Sequence, residues 1–141
     1  MKVIASFIRG KTLEFATPGA INSERYPKVH PEIQEAITVV AQRNYRQDVN
    51  DETLDLSGSL LVRANLTNAN FRKVNLRDAN FGSTNLEGVD FSDANLERAI
   101  FYESDLSDAV LKRAKFKAAK YCSKTVFPAN FDPDAAGMKK E

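Results

Sequence analysis

Residues 64–98 read ANLTNANFRKVNLRDANFGSTNLEGVDFSDANLER, and within this stretch a large apolar residue falls on every fifth position. The register extends in both directions, giving Leu56, Leu61, Leu66, Phe71, Leu76, Phe81, Leu86, Phe91, Leu96, Phe101, Leu106, Leu111, Phe116 and Tyr121, fourteen in succession. Two residues before each lies a mostly small side chain, as at Ser59, Ala64, Ala69 and Ala79, and Asn or Asp separates the two in nine of the fourteen repeats. A period of five fits neither the 3.6 of a helix nor the 2 of a strand. Each repeat is therefore one bend of a coil that returns its large residue inward. Four bends close a square, so one coil takes about 20 residues and the block makes about 3.5 coils, stacked through backbone hydrogen bonds at about 4.8 Å.

The pattern A(N/D)LXX resembles the pentapeptide repeat family, and the match covers about half of the chain, roughly residues 54–123. The resemblance implies a mainly β fold, a right-handed quadrilateral β-helix; its handedness and squareness come from the resemblance and not from the spacing. The flanks VHPEIQEAITVVAQRN and TVFPANFDPDAAG are similar to flanks of some family members. The family's best-known activity is DNA mimicry by proteins that bind DNA gyrase or topoisomerase, and this is the alternative function that the resemblance implies.

Residues 20 apart share a wall. One wall stacks Leu56, Leu76, Leu96 and Phe116; the second Leu61, Phe81, Phe101 and Tyr121; the third Leu66, Leu86 and Leu106; the fourth Phe71, Phe91 and Leu111. The expected core is thus Leu66, Phe71, Leu76, Phe81, Leu86, Phe91, Leu96, Phe101 and Leu106, with phenylalanine columns on opposite walls. Outside, Arg77, Glu97 and Lys117 share a column, and Arg72 and Lys73 lie below Asp90 and Asp93, which lie below Lys112 and Arg113. Such ladders are expected to be solvated cross-strand pairs. Glu87, Asp105 and Asp108 form an acidic edge without the loop wrapping that a cation site needs. The second wall is apolar outside, with Leu60, Val62, Ile100 and Tyr102 at outward positions. It is the candidate interaction face, to be covered either by the amino-terminal segment or by a partner.

Four segments follow. Residues 1–28 hold KVIASFI, an RGK turn and TLEF, a pattern compatible with a short hairpin that could cover that face. Residues 29–50 contain a capping helix that opens at His30-Pro31-Glu32 and carries Ile33, Ala36, Ile37, Val40 and Ala41 on one stripe. Residues 51–123 form the β-helix. Residues 124–141 form a capping tail in which Val126 and Phe131 keep the five-residue register while Pro128 and Pro133 stop the coil.

Charge is nearly balanced, 20 basic against 19 acidic residues in 141, and the repeat block carries nine acidic and ten basic ones. That balance argues against mimicry of a polyanion, which needs uncompensated negative charge. Catalytic constellations are missing from the sequence. His30 is the sole histidine and Cys122 the sole cysteine, and no phosphate loop, dinucleotide fingerprint or zincin motif occurs. No catalytic or metal-ligating residue, and no cofactor, is therefore expected. The lone cysteine and the short apolar run Val3–Ile8 fit a soluble cytoplasmic protein. The expected role is a non-catalytic protein-interaction or regulatory module, with a monomer favoured over a dimer, whose partner is a protein and neither nucleic acid nor membrane.

Overall fold

The computed structural model describes residues 1–15, 29–44, 46 and 53–141. Parallel bridges join Asp55 to Asn75, Asn75 to Asn95 and Asn95 to Lys115, and the other walls repeat the same 20-residue step, as from Leu60 to Asn80 to Ile100. The chain is a β-helix solenoid. It closes each repeat with a bond from the N–H of the small residue to the carbonyl of the large residue three positions earlier, from Ser59 onto Leu56 (3.2 Å) to Ala119 onto Phe116 (2.8 Å). Twelve of these thirteen turns place a left-handed residue at their third position, which marks the type II turn. Leu106–Ala109 is the exception. With a turn every five residues, each wall keeps a single bridging residue. The described strands are accordingly only β1 (Lys120–Tyr121) and β2 (Lys139–Lys140).

The recurring Asn or Asp is explained by accounting for backbone donors. The N–H of the large residue donates to the next coil (Leu56 to Asn75, 2.8 Å), as does that of the left-handed residue (Gly58 to Arg77, 2.8 Å). The N–H of the Asx position donates to the previous coil (Asn75 to Leu54, 2.8 Å), and the small residue closes the turn. One N–H per repeat is left over, that of the residue after the large one. Its partner is the Oδ1 of the Asx side chain two residues before it, at Asp55, Asn65, Asn70, Asn75, Asn80, Asn85, Asp90, Asn95 and Asp105. All nine Asx residues of the sequence pattern are used in this way.

The interior follows the predicted columns. Phe71 stacks on Phe91 (5.7 Å, 17°) and Phe81 on Phe101 (5.2 Å, 8°), while Phe81 meets Phe91 across the coil edge to face (5.7 Å, 73°). All nine expected core residues are buried. Hydroxyls run up one corner: Thr84 donates to the carbonyl of Leu61 (2.8 Å), Ser104 to Phe81 (2.7 Å) and Thr125 to Phe101 (2.7 Å).

Helices α1 (Lys2–Phe15) and α2 (Pro31–Ala41) pack together ahead of the first coil. The second is the expected capping helix, burying Ile33, Ile37 and Val40. The first corrects the hairpin expected for residues 1–28. A strand would place Val3, Ala5 and Phe7 on one face, but Ala5 and Ile8 are buried while Val3 is 83% exposed. Burial against the core thus selects the helical grouping of Ala5 and Ile8. The remainder of that segment, residues 16–28, lies outside the described residues, and so does any cover it gives to the second wall.

The carboxy-terminal register also needs correction. Asp105 bridges Val126, 21 residues on, and the last turn closes from Thr125 onto Cys122 (3.0 Å), one position late. The extra residue moves Val126 onto the outward bridge position, where it is 47% exposed. Phe127 becomes the inward residue, edge to face with Tyr121 (5.4 Å), and Phe131 packs over Phe116 (5.2 Å).

Candidate functional site

The four residues of the apolar face do share the second wall, Leu60 and Ile100 being two coils apart with Asn80 between them. They do not form an open patch. Val62 is 2% exposed, and Leu60, Ile100 and Tyr102 are half-buried. Gly82 lies between the two ends of the face, 3.8 Å from Val62 when given a Cβ. The Tyr102 hydroxyl donates to the Glu141 carboxylate, which also pairs with Lys120 (3.0 Å). Burial first, and then the bond to Glu141, pushes the Tyr102 phenol up to about 12. The carboxyl of Glu141 is held below its ordinary value by the same bond and by Lys120.

The charge columns are ion-paired along the axis. Arg72 meets Asp90 (3.1 Å), Arg113 meets Asp93 through two bonds (2.6 and 2.7 Å), and Arg77 lies 4.0 Å from Glu97. Arg98 grips Asp78 through two bonds, a pair that the sequence columns did not single out although the residues are 20 apart. These bonds hold the Asp78 and Asp93 carboxyls below the usual carboxylate range, the hydrogen bond from each arginine being the largest cause. A groove of about 540 Å³ opens beside them, lined by Lys73, Asn75, Asp93, Asn95 and Lys115 among others. Its walls offer amides and ammonium groups for polar recognition.

The two ends of the tower are finished differently. At the start, the Gln34 side chain exchanges both bonds with the Asn65 backbone (3.0 and 2.9 Å), the Ala41 carbonyl accepts from Asn70 N–H (2.8 Å), and the buried Arg43 guanidinium donates to the carbonyls of Asn70 and Arg72 (2.8 and 2.6 Å). At the far end, β2 lies parallel on β1, with bonds from Ala118 to Gly137 (2.8 Å), Lys139 to Ala119 (2.7 Å) and Glu141 to Tyr121 (2.9 Å). Leu106 donates to Val126 (2.8 Å) on the third wall. Between these closures, the N–H groups of Leu111, Arg113 and Phe116 and the carbonyls of Ala109 and Ala114 have no backbone partner among the described residues. This edge was invisible at the sequence level, because it depends on where the tail stops covering the coil.

His30 occupies the N-cap position of α2 and makes no side-chain capping bond. Cys122 is the half-buried residue at the register slip. Burial raises its thiol pKa, but N–H donors from Lys124 and Glu103 and the Thr125 hydroxyl outweigh burial and pull it below its ordinary value. No group of three histidine, cysteine or carboxylate side chains among the described residues is arranged to hold a metal. Among the same residues, no helix is long and apolar enough to cross a membrane.

The family described as Pentapeptide repeats (8 copies) matches residues 55–88 and 90–120. A pentapeptide repeat protein from Nostoc Pcc 7120, solved by crystallography, is 35% identical, with 67% of this chain and 78% of that chain covered and a TM-score of 0.48. A pentapeptide repeat protein from the cyanobacterium Cyanothece 51142 is 29% identical over 52% of this chain and 53% of its own, with a TM-score of 0.37. One from the thylakoid lumen of Arabidopsis thaliana is 22% identical over 60% and 57%, with a TM-score of 0.41. The chain thus spans little more than half the length of the last two. No curated protein matches the sequence. With the repeat block matched and a 35% identical relative covered over 78% of its length, the chain belongs to the pentapeptide repeat family.

Proposed function

We propose that this protein is a non-catalytic interaction or regulatory module, working in the cytoplasm by docking one wall or one end of a right-handed, four-sided tower against another protein. The observation that carries this reading is the division of labour within each repeat. The large and small residues are consumed by the core and the Asx side chains by their own turns, while the outward-facing positions, apart from turned-in ones such as Val62 and Ser92, recur at a spacing fixed by the coil. A rigid solenoid presents such side chains without rearrangement, so binding costs little ordering entropy.

The DNA-mimic alternative, a gyrase or topoisomerase binder, is not favoured by the surface. Asp78, Asp90 and Asp93 are each neutralised by an arginine, and residues 109–131 carry six basic residues and no acidic one. The deciding experiment is affinity capture from native lysate on the immobilised protein, beside a gyrase supercoiling assay. A retained protein that free tower competes off supports the module. Empty eluates from wild type, or supercoiling inhibited at low micromolar concentration, would overturn it. Tyr102→Glu serves as the control for the second wall, and identical retrieval by both forms excludes that wall as the contact.

A further inference from the structure

The unclosed stretch of the last coil combines three properties found together nowhere else on the described molecule. It is a backbone edge, with the N–H groups of Leu111, Arg113 and Phe116 and the carbonyls of Ala109 and Ala114 unpartnered by backbone. It is basic, since Lys112, Lys115 and Lys117 are exposed and make no ion pair among the described residues, and no carboxylate occurs from 109 to 131. It has apolar footing, with Val110 47% exposed and Leu111 half-buried. The same edge one wall further on already holds a strand, because β2 adds in parallel to β1 and the residue that follows it, Glu141, is fixed by Lys120.

We propose that the edge formed by residues 109–116 is a docking site for an acidic peptide segment of a partner protein, added in parallel to it and bending with it at the Leu111–Ala114 turn. This deepens the interaction-module reading and rests on it. Main-chain bonds to the free N–H and C=O groups give affinity, and carboxylates placed against Lys112, Lys115 and Lys117 give selectivity. Lysines are also a common device for blunting an exposed edge. Here the two effects act together: like charge disfavours pairing of this edge with that of a second copy, and leaves an acidic strand as the complementary occupant.

The test uses the full chain and two labelled octapeptides, one alternating Val with Glu and one alternating Val with Lys, followed by fluorescence anisotropy and by amide hydrogen exchange. The acidic peptide is expected to bind and to slow exchange at Leu111, Arg113 and Phe116 by about tenfold or more. Its affinity should fall about tenfold or more in the triple variant K112E/K115E/K117E, whose altered side chains are solvent-exposed and whose melting temperature verifies that it folds. Absence of binding overturns the proposal. So does binding without protection of those amides, which is general charge attraction, or equal binding of the lysine peptide. Protection that rises with protein concentration in the absence of peptide also overturns it, by assigning the edge to a second copy. If these results fail while lysate capture still retrieves a competable partner, the edge is wrong and the module reading stands; empty eluates count against the module itself.

Discussion

Ten residues other than glycine hold left-handed backbone in the turns, among them Arg63, Asp78, Arg98 and Ala118. Each strains by about 1 kcal/mol or more, and in eight of the ten, all but Glu103 and Arg113, the strain is offset because the same residue's N–H enters the ladder of the next coil. Gly58 and Gly88 occupy the same position at φ +68° and +67°, and they separate backbone cost from packing. A Cβ on Gly58 meets nothing within 4 Å, whereas one on Gly88 would sit 2.2 Å from Asn68 Oδ1. Gly58→Ala should therefore lower stability by about 1 kcal/mol through backbone alone. Gly88→Ala should cost more, and chemical denaturation should show that excess disappear when Asn68→Ala is added. Phe91, which touches rings of both phenylalanine columns, should lose about 3–5 kcal/mol on truncation to Ala, measured the same way. These columns were legible in the sequence because a fixed period places residues without reference to the rest of the chain. The purpose of the Asx residue was not, since a residue type alone does not say which donor is left over.

Among the elements, legibility falls off where the repeat ends. The helix α2 announces itself by Pro31 and the stripe from Ile33 to Val40. Ahead of it, α1 has a short apolar run that strand and helix periods share, and packing of Ala5 and Ile8 decides between them. A single extra residue near Cys122 exchanges the roles of Val126 and Phe127, and no local pattern marks it because both are apolar. Beyond this slip the tail returns as β2 and fastens to Tyr102 through Glu141. The raised phenol pKa means that the neutral phenol is favoured by folding. Its contribution is complete below the ordinary value of 10 and is lost as pH climbs through about 12. Ultraviolet titration should place ionisation of Tyr102, identified by comparison with Tyr102→Phe, near 12, and Glu141→Gln should lower that midpoint; an unchanged midpoint means burial alone sets it.

At the scale of the whole molecule, paired charges run along the tower axis and set its response to acid. The Asp78 and Asp93 carboxyls titrate below their ordinary value of 3.8, so their contribution is full above that value and disappears as pH falls through the lower folded value. The difference in melting temperature between wild type and Arg98→Ala should accordingly be present at about pH 6 and shrink towards about pH 2. The candidate apolar face was legible as a column but not as a buried one, because exposure depends on what the ends of the chain do. The coil has one more consequence, for chemical ageing. Deamidation of asparagine requires the following backbone nitrogen to attack the side-chain amide. After Asn65, Asn70, Asn75, Asn80, Asn85 and Asn95, that nitrogen belongs to a large core residue and is already bonded to the next coil, at 2.8–3.3 Å. Six asparagines in a short chain should thus remain intact for as long as the tower stands. Peptide mass spectrometry after prolonged warm incubation should find their conversion to aspartate only in protein that has first unfolded.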